Sequence, residues 1–250
     1  MTKIEAVLDE LVTANRILAR EGIVDSFGHP SIRHPERPDR FLLSRARAPD
    51  LIEEADIMEF TLDGNVVGKD DRKPYLERFI HGAIYEARPD VQAVIHNHSP
   101  SVLPFSVTKK KLRPLHHMCG CMGNNVPTWD SQTKFGDTSL LVSTMDMGRD
   151  LAKLLGGDRV ALMRGHGCVV AAKDIREATY IAYYFELGAK LQMQAMDIGG
   201  EEVTYLTPGE VDTIIDRTGP YSFNRAWENW CRRAGRKMLD RPDEIVQLKA

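Results

Sequence analysis

Residues 91–96, Val-Gln-Ala-Val-Ile-His, make a short, largely apolar run that closes on Asn97 and His98. On an extended chain alternate residues point to the same side, so His96 and His98 leave the end of this strand together. Two imidazoles delivered side by side by a buried strand are pre-aimed ligands. A divalent metal takes neutral imidazole, and an open catalytic site adds a third protein ligand while keeping a position for substrate. The third candidate is His166, between Gly165 and Gly167 at the junction of two β-rich runs in RVALMRGHGCVVAA, where missing side chains let a ligand come close. The fourth is Glu77, a carboxylate on the helix just before the strand, suited to ligate metal or to move protons. Each residue taken singly also has a plainer reading. The histidine pair is then solvent-facing or hydrogen-bonded, Glu77 lies on a solvated helix face near Arg78 and Arg88, and His81, one turn on, packs or orients a ligand.

Around this stretch the chain alternates between the two periodicities. Ile4, Val7, Leu8, Leu11, Val12 and Ile17 fall at helical spacing over 4–20, with Gly22 as the C-cap. Segments at 31–33 and 41–44 read as strands, and Asp63-Gly64 inside DIMEFTLDGNVVG signals a hairpin. Pro74 opens a helix over 75–87 that feeds the 91–96 strand. A further helix, capped by Asp137 or Thr138, runs to Gly156-Gly157, and a long one runs from about Asp174 to Met196. The tail holds a Pro208-Gly209 turn, a short helix and a Trp227/Trp230 segment that reads as an amphipathic packing helix. No repeat or Pro/Gly/Ser linker interrupts the 250 residues, so helices and short strands in one chain favour a single three-layer α/β/α domain.

Composition narrows the partners. With 33 Lys+Arg against 36 Asp+Glu, net charge −3, there is no bulk positive field for nucleic acid or an anionic membrane. No apolar run approaches the roughly 18 residues needed to span a bilayer, and the charged N-terminus is no signal peptide, which gives a cytoplasmic reading. Cys119, Cys121, Cys168 and Cys231 form no CxxC pair and are too sparse for a disulfide scaffold, so reduced thiols are expected.

The order YLERFIHGAIYEARPDVQAVIHNHSP, then FGD, then RGHG followed by a long helix resembles the class II aldolase/adducin family over residues 4–198. The resemblance implies an α/β/α sandwich with a central, mostly antiparallel sheet. Residues 1–250 then form one domain with 201–250 as a C-terminal extension. It also implies a homotetramer with active sites between subunits, and a divalent metal, Mn2+ or Zn2+, held by His96, His98 and His166 with Glu77 as ligand or acid/base. Sugar-phosphate aldolases of the family hold phosphate with a Gly-Asn-x-Ser turn, a Thr-Pro-Ser-Gly-like turn and a Ser-Ser pair. The matching places here read Gly28-His29-Pro30-Ser31, Ser44-Arg45-Ala46-Arg47 and Tyr75-Leu76. Guanidinium suits a planar carboxylate, and Tyr75 and His29 are placed to flank a flat ring. The family's proton-donating tyrosine matches His117, beside His116, and imidazole suits general-acid work near neutrality.

These replacements are similar to the branch that decarboxylates hydroxylated aromatic dicarboxylates, of the vitamin B6 breakdown and dihydroxyphthalate kinds. The implied activity is a carbon–carbon lyase, a carboxy-lyase in which the metal spreads the charge left on carbon. The implied substrate residues are His29, Ser44, Arg45, Arg47, Tyr75 and His116, and the catalytic pair is Glu77 and His117. Against this stand plainer roles, with Arg45 and Arg47 as salt-bridge partners and His116 and His117 packing at a subunit contact. Two other functions compete. One is a metal-dependent aldolase or epimerase acting on a short sugar or hydroxy acid; the other is a non-catalytic, adducin-like association domain, which retention of all three histidines disfavours.

Overall fold

The computed structural model describes residues 2–239. In chain order it runs α1 (Lys3–Arg20), β1 (His29–Arg33), β2 (Arg40–Ser44), β3 (Ile57–Thr61), α2 (Arg78–Ala87), β4 (Ala93–Asn97), the single turn α3 (Leu103–Ser106), β5 (Thr128–Trp129), the single turn α4 (Gln132–Phe135), α5 (Met145–Leu155), β6 (Val160–Met163), β7 (Gly167–Ala172), α6 (Ile175–Gly199), α7 (Pro208–Arg217) and α8 (Pro220–Arg233). All strands join one seven-stranded sheet in the order β3-β2-β1-β4-β7-β6-β5. Among the described residues only the β5–β6 pairing is parallel, so the fold is the α/β class with a mostly antiparallel sheet that the resemblance implies.

The period of two along each strand divides its side chains between two cores. Ile32, Leu42, Ala93 and Ile95 enter one cluster with Leu11 of α1, Phe185 of α6 and Trp227 of α8. Phe41, Leu43 and Val94 enter the other with Ile80 and Ile84 of α2 and Leu151 of α5. Helices therefore cover both faces and the three layers follow. The tail contributes directly, since Trp227, Trp230 and Cys231 of α8 belong to the first cluster. His96 is in step with Val94, and across the β1–β4 pairing His29 and Ser31 sit opposite His96 and Val94. These polar residues thus leave the sheet on the α2 side.

Local rules explain most element ends. Thr2 and Glu5 close a capping box on α1, and Asp174 caps α6 through the Arg176 and Glu177 amides. Two starts differ from the sequence reading. The second helix begins at Arg78, not 75, because Pro74 is engaged in a bridge to Arg45 and residues 76–77 turn the chain before the helix starts. The helix expected from Asp137 or Thr138 begins at Met145 under a Thr144 cap. Asp137 and Thr138 spend their oxygens locally, on Gln132 Nε2 and the Leu140 amide, and the chain from there to Thr144 stays irregular. Asp63-Gly64 does turn the chain, but its second arm reaches only a bridge from Val66 to Phe60. The four cysteines are free and buried, and no helix of the described residues is long and apolar enough to cross a membrane.

Candidate functional site

Four elements converge at the β4 end of the sheet. β4 brings His96, the turn after it His98, the β6–β7 junction His166, and the N-cap position of α2 brings Glu77. One ligand atom from each lies within 4.8 Å of all the others. His96 Nε2 is 3.2 Å from His98 Nε2 and 3.5 Å from Glu77 Oε2, and His166 Nε2 is 3.4 Å from Glu77 Oε2.

The backs of the rings determine what the fronts can do. His96 Nδ1 donates to Cys168 O at 3.1 Å and His166 Nδ1 to Leu140 O at 3.0 Å; a carbonyl only accepts, so the ring proton sits on Nδ1 in both. His98 Nδ1 meets Asp25 Oδ2 at 3.0 Å. Each ring therefore turns its Nε2 towards the others, and in a neutral imidazole held this way that nitrogen is the bare one. Lone pairs facing each other at 3.2 Å repel unless a cation lies between them, and His166 Nε2 is buried with no hydrogen-bond partner. This donor set, three Nε2 atoms and a carboxylate oxygen, each imidazole oriented from behind, fits a divalent metal.

Glu77 matches the same assignment. Its Oε1 accepts from the Val142 amide at 2.9 Å, which leaves Oε2 for the cluster. Burial alone would raise its pKa, but His96 and His166 outweigh that and hold the carboxyl far below the usual carboxylate range. Burial keeps His96 below the ordinary imidazole value against the pull of Glu77.

Residues the sequence did not mark build this geometry. Asp25 orients His98 with one oxygen and accepts from the Phe27 and Gly28 amides with the other. Leu140 and Val142, in the irregular segment read as helix, supply the carbonyl behind His166 and the amide on Glu77. Among the described residues Leu140 is the non-glycine residue with left-handed backbone, φ 67°, a conformation that persists where surroundings enforce it. Main-chain partners leave no side-chain signal, although Asp25 ahead of a glycine-containing turn was a visible carboxylate. The glycine beside His166 also acts differently from the expectation: a Cβ on Gly167 would lie 2.2 Å from Asn97 O, so its bareness admits the neighbouring backbone and not a ligand.

The remaining sequence candidates separate into three groups. His29 and Tyr75 are buried with ring centroids 4.4 Å apart; in mutual contact they form one wall and do not flank a ring from two sides. Arg45 and Arg47 share Asp56, at 2.5 and 2.6 Å. Tyr75 donates its hydroxyl to Arg47 O, which ties this pair to the His29 wall, and Ser44 is buried at the end of β2. His116 and His117 lie apart: no hydrogen bond, ion pair or ring contact among the described residues joins them to the four-residue cluster. His116 Nδ1 caps its own turn through the Met118 amide, and His117 borders a hollow beside Leu206, Thr207 and Ile214.

Comparison with known proteins agrees with this geometry. The profile for "Class II Aldolase and Adducin N-terminal domain" matches residues 9–193. Decarboxylase tropJ of Talaromyces stipitatus is 34% identical, covering 88% of this chain and 91% of that one. The 3,4-dihydroxyphthalate decarboxylase of Arthrobacter keyseri is 26% identical over the same shares. An aldolase II superfamily protein from Pseudomonas syringae has the same fold, with TM-score 0.77, 22% identity and 94% of each chain covered. Decarboxylases and aldolases are both carbon–carbon lyases, and that is the enzyme class of this protein. The chain belongs to the class II aldolase and adducin N-terminal domain family.

Proposed function

We propose that the protein is a divalent-metal-dependent decarboxylase of an ortho-hydroxy aromatic or pyridine dicarboxylate, of the 3-hydroxy-2-methylpyridine-4,5-dicarboxylate or dihydroxyphthalate type. The observation that carries the reading is the convergence of three imidazoles, each held from behind, on one buried carboxylate. Likeness to two decarboxylases supports carboxylate loss over aldol cleavage. A bound divalent ion, for which Mn2+ and Zn2+ are the proposed candidates, supplies Lewis acidity for the negative charge left on carbon when the bond breaks.

The chain's own residues divide the remaining work. Two guanidiniums on one Asp56 carboxylate leave a net positive charge at Arg45 and Arg47, which attracts and orients the second carboxylate of the substrate. The His29–Tyr75 wall fixes the tilt of the ring. With Oε1 held by the Val142 amide, Oε2 of Glu77 serves as ligand, and the return of the proton to carbon falls to a second group. His117 of an adjacent copy fills that role if the protein is a homotetramer with shared sites; within one chain His117 does not contact the cluster. A cytoplasmic location completes the proposal.

The test is CO2 release from ortho-hydroxy aromatic dicarboxylates by purified protein supplied with Mn2+ or Zn2+. Turnover confined to fuculose or ribulose phosphates would refute it.

A further inference from the structure

Beside the cluster a row of buried side chains runs back into the sheet without contributing a ligand. Tyr85 Oη lies 2.8 Å from Ser31 Oγ, Ser31 Oγ 2.6 Å from His81 Nδ1, and His81 Nε2 2.7 Å from His29 Nδ1. None of the four is more than 1% exposed.

The direction of these bonds follows from the far end. Burial raises the pKa of the Tyr85 phenol, which keeps its proton. A buried hydroxyl proton needs an acceptor, and Ser31 Oγ is the one that reaches it. Ser31 then turns its own proton to His81 Nδ1. His81 and His29 are both buried and neither bonds a carboxylate, so each ring is neutral and carries one proton. With Nδ1 accepting, His81 holds its proton on Nε2 and donates to His29 Nδ1. His29 is left protonated on Nε2. The reverse order would strand the Tyr85 proton. His29 pairs with His96 across β1 and β4, and their ring centroids are 5.2 Å apart, so the oriented ring stands at the edge of the cluster.

We infer that Tyr85, Ser31 and His81 are positioning residues that fix His29 in its Nε2–H tautomer, so that His29 meets a substrate at the cluster as a hydrogen-bond donor and not as a base. The partner it recognises is an anionic oxygen, carboxylate or phenolate. Only the identity of that oxygen rests on the proposed decarboxylase; the tautomer is a property of the chain.

Neutron diffraction from deuterium-exchanged crystals of the metal-loaded protein reads the tautomer directly. Deuterium is expected on Nε2 of both His81 and His29; deuterium on His29 Nδ1 overturns the inference, whether or not the protein decarboxylates anything. Tyr85→Phe keeps the ring and removes the hydroxyl that sets the direction, so His29 deuterium should become shared between its two nitrogens. KM for a decarboxylated substrate should then rise about twofold, because only the donor tautomer binds. If Tyr85→Phe folds poorly, Ser31→Ala interrupts the same row and should give the same sharing. Deuterium that stays wholly on Nε2 in the folded variant removes the role assigned to these residues.

Discussion

The two faces of the sheet are covered alike and filled differently. On the α1, α6 and α8 side the cluster is apolar from Leu11 to Trp227, and where charge enters, as at Arg176, it is met by Glu10 and Asn224. On the α2 side the inner part of the layer is polar: His29, Ser31, His81, Tyr85 and His96 are all buried and linked by hydrogen bonds or ring contacts. Desolvating such groups is costly unless each is bonded. The first face thus serves stability, while the second gives up packing to hold rings in fixed orientations.

Substitutions on the two faces should therefore fail in different ways. His96→Ala is expected to lose both the bound ion and turnover to background while the chain stays folded, checked by elemental analysis, CO2 release and circular dichroism; an ion content equal to the unaltered protein would end the comparison. Phe185→Ala, on the apolar face, should destabilise by about 3–5 kcal/mol in denaturant titration, with kcat per folded molecule unchanged.

The polar face also predicts a pH dependence. The unfolded chain binds a proton on His81 below about pH 6.5, whereas the folded site does so only near 3. Stability from the neutral ring is therefore complete above about pH 6.5 and is lost as pH falls towards 3, at about 1.4 kcal/mol per pH unit. His81→Gln should flatten the measured slope by that amount, and equal slopes would contradict the buried neutral ring. The smallest effect is expected at Asp25, which orients His98 from a half-exposed position. Asp25→Asn keeps one acceptor oxygen and should weaken metal affinity by about 10–100-fold, read by competition with a chelating dye.

Legibility followed the range of the interaction. The caps of α1 and α6 lie within one turn of the residues they serve, so the sequence reading fell close to them. The start of α5 did not, because residues 138–142 carry turn-like and apolar side chains whose main-chain groups answer to His166 and Glu77, far away in sequence. Arg45 and Arg47 read equally as substrate ligands or as salt-bridge partners; the sequence did not name Asp56, which holds both, because that pairing depends on how β2 and β3 lie together.

What the residues determined by themselves was the chemistry available: three imidazoles and a carboxylate at separations that match a known family, on elements whose periodicity of two or 3.6 is a local property of the backbone. What tertiary structure decided was the state of those groups. Which nitrogen of each ring carries the proton, and whether Glu77 is ionised, depends on Cys168 O, Leu140 O, Asp25 and the Val142 amide. All of these arrive from other parts of the chain, and three of them are main-chain groups that every residue possesses.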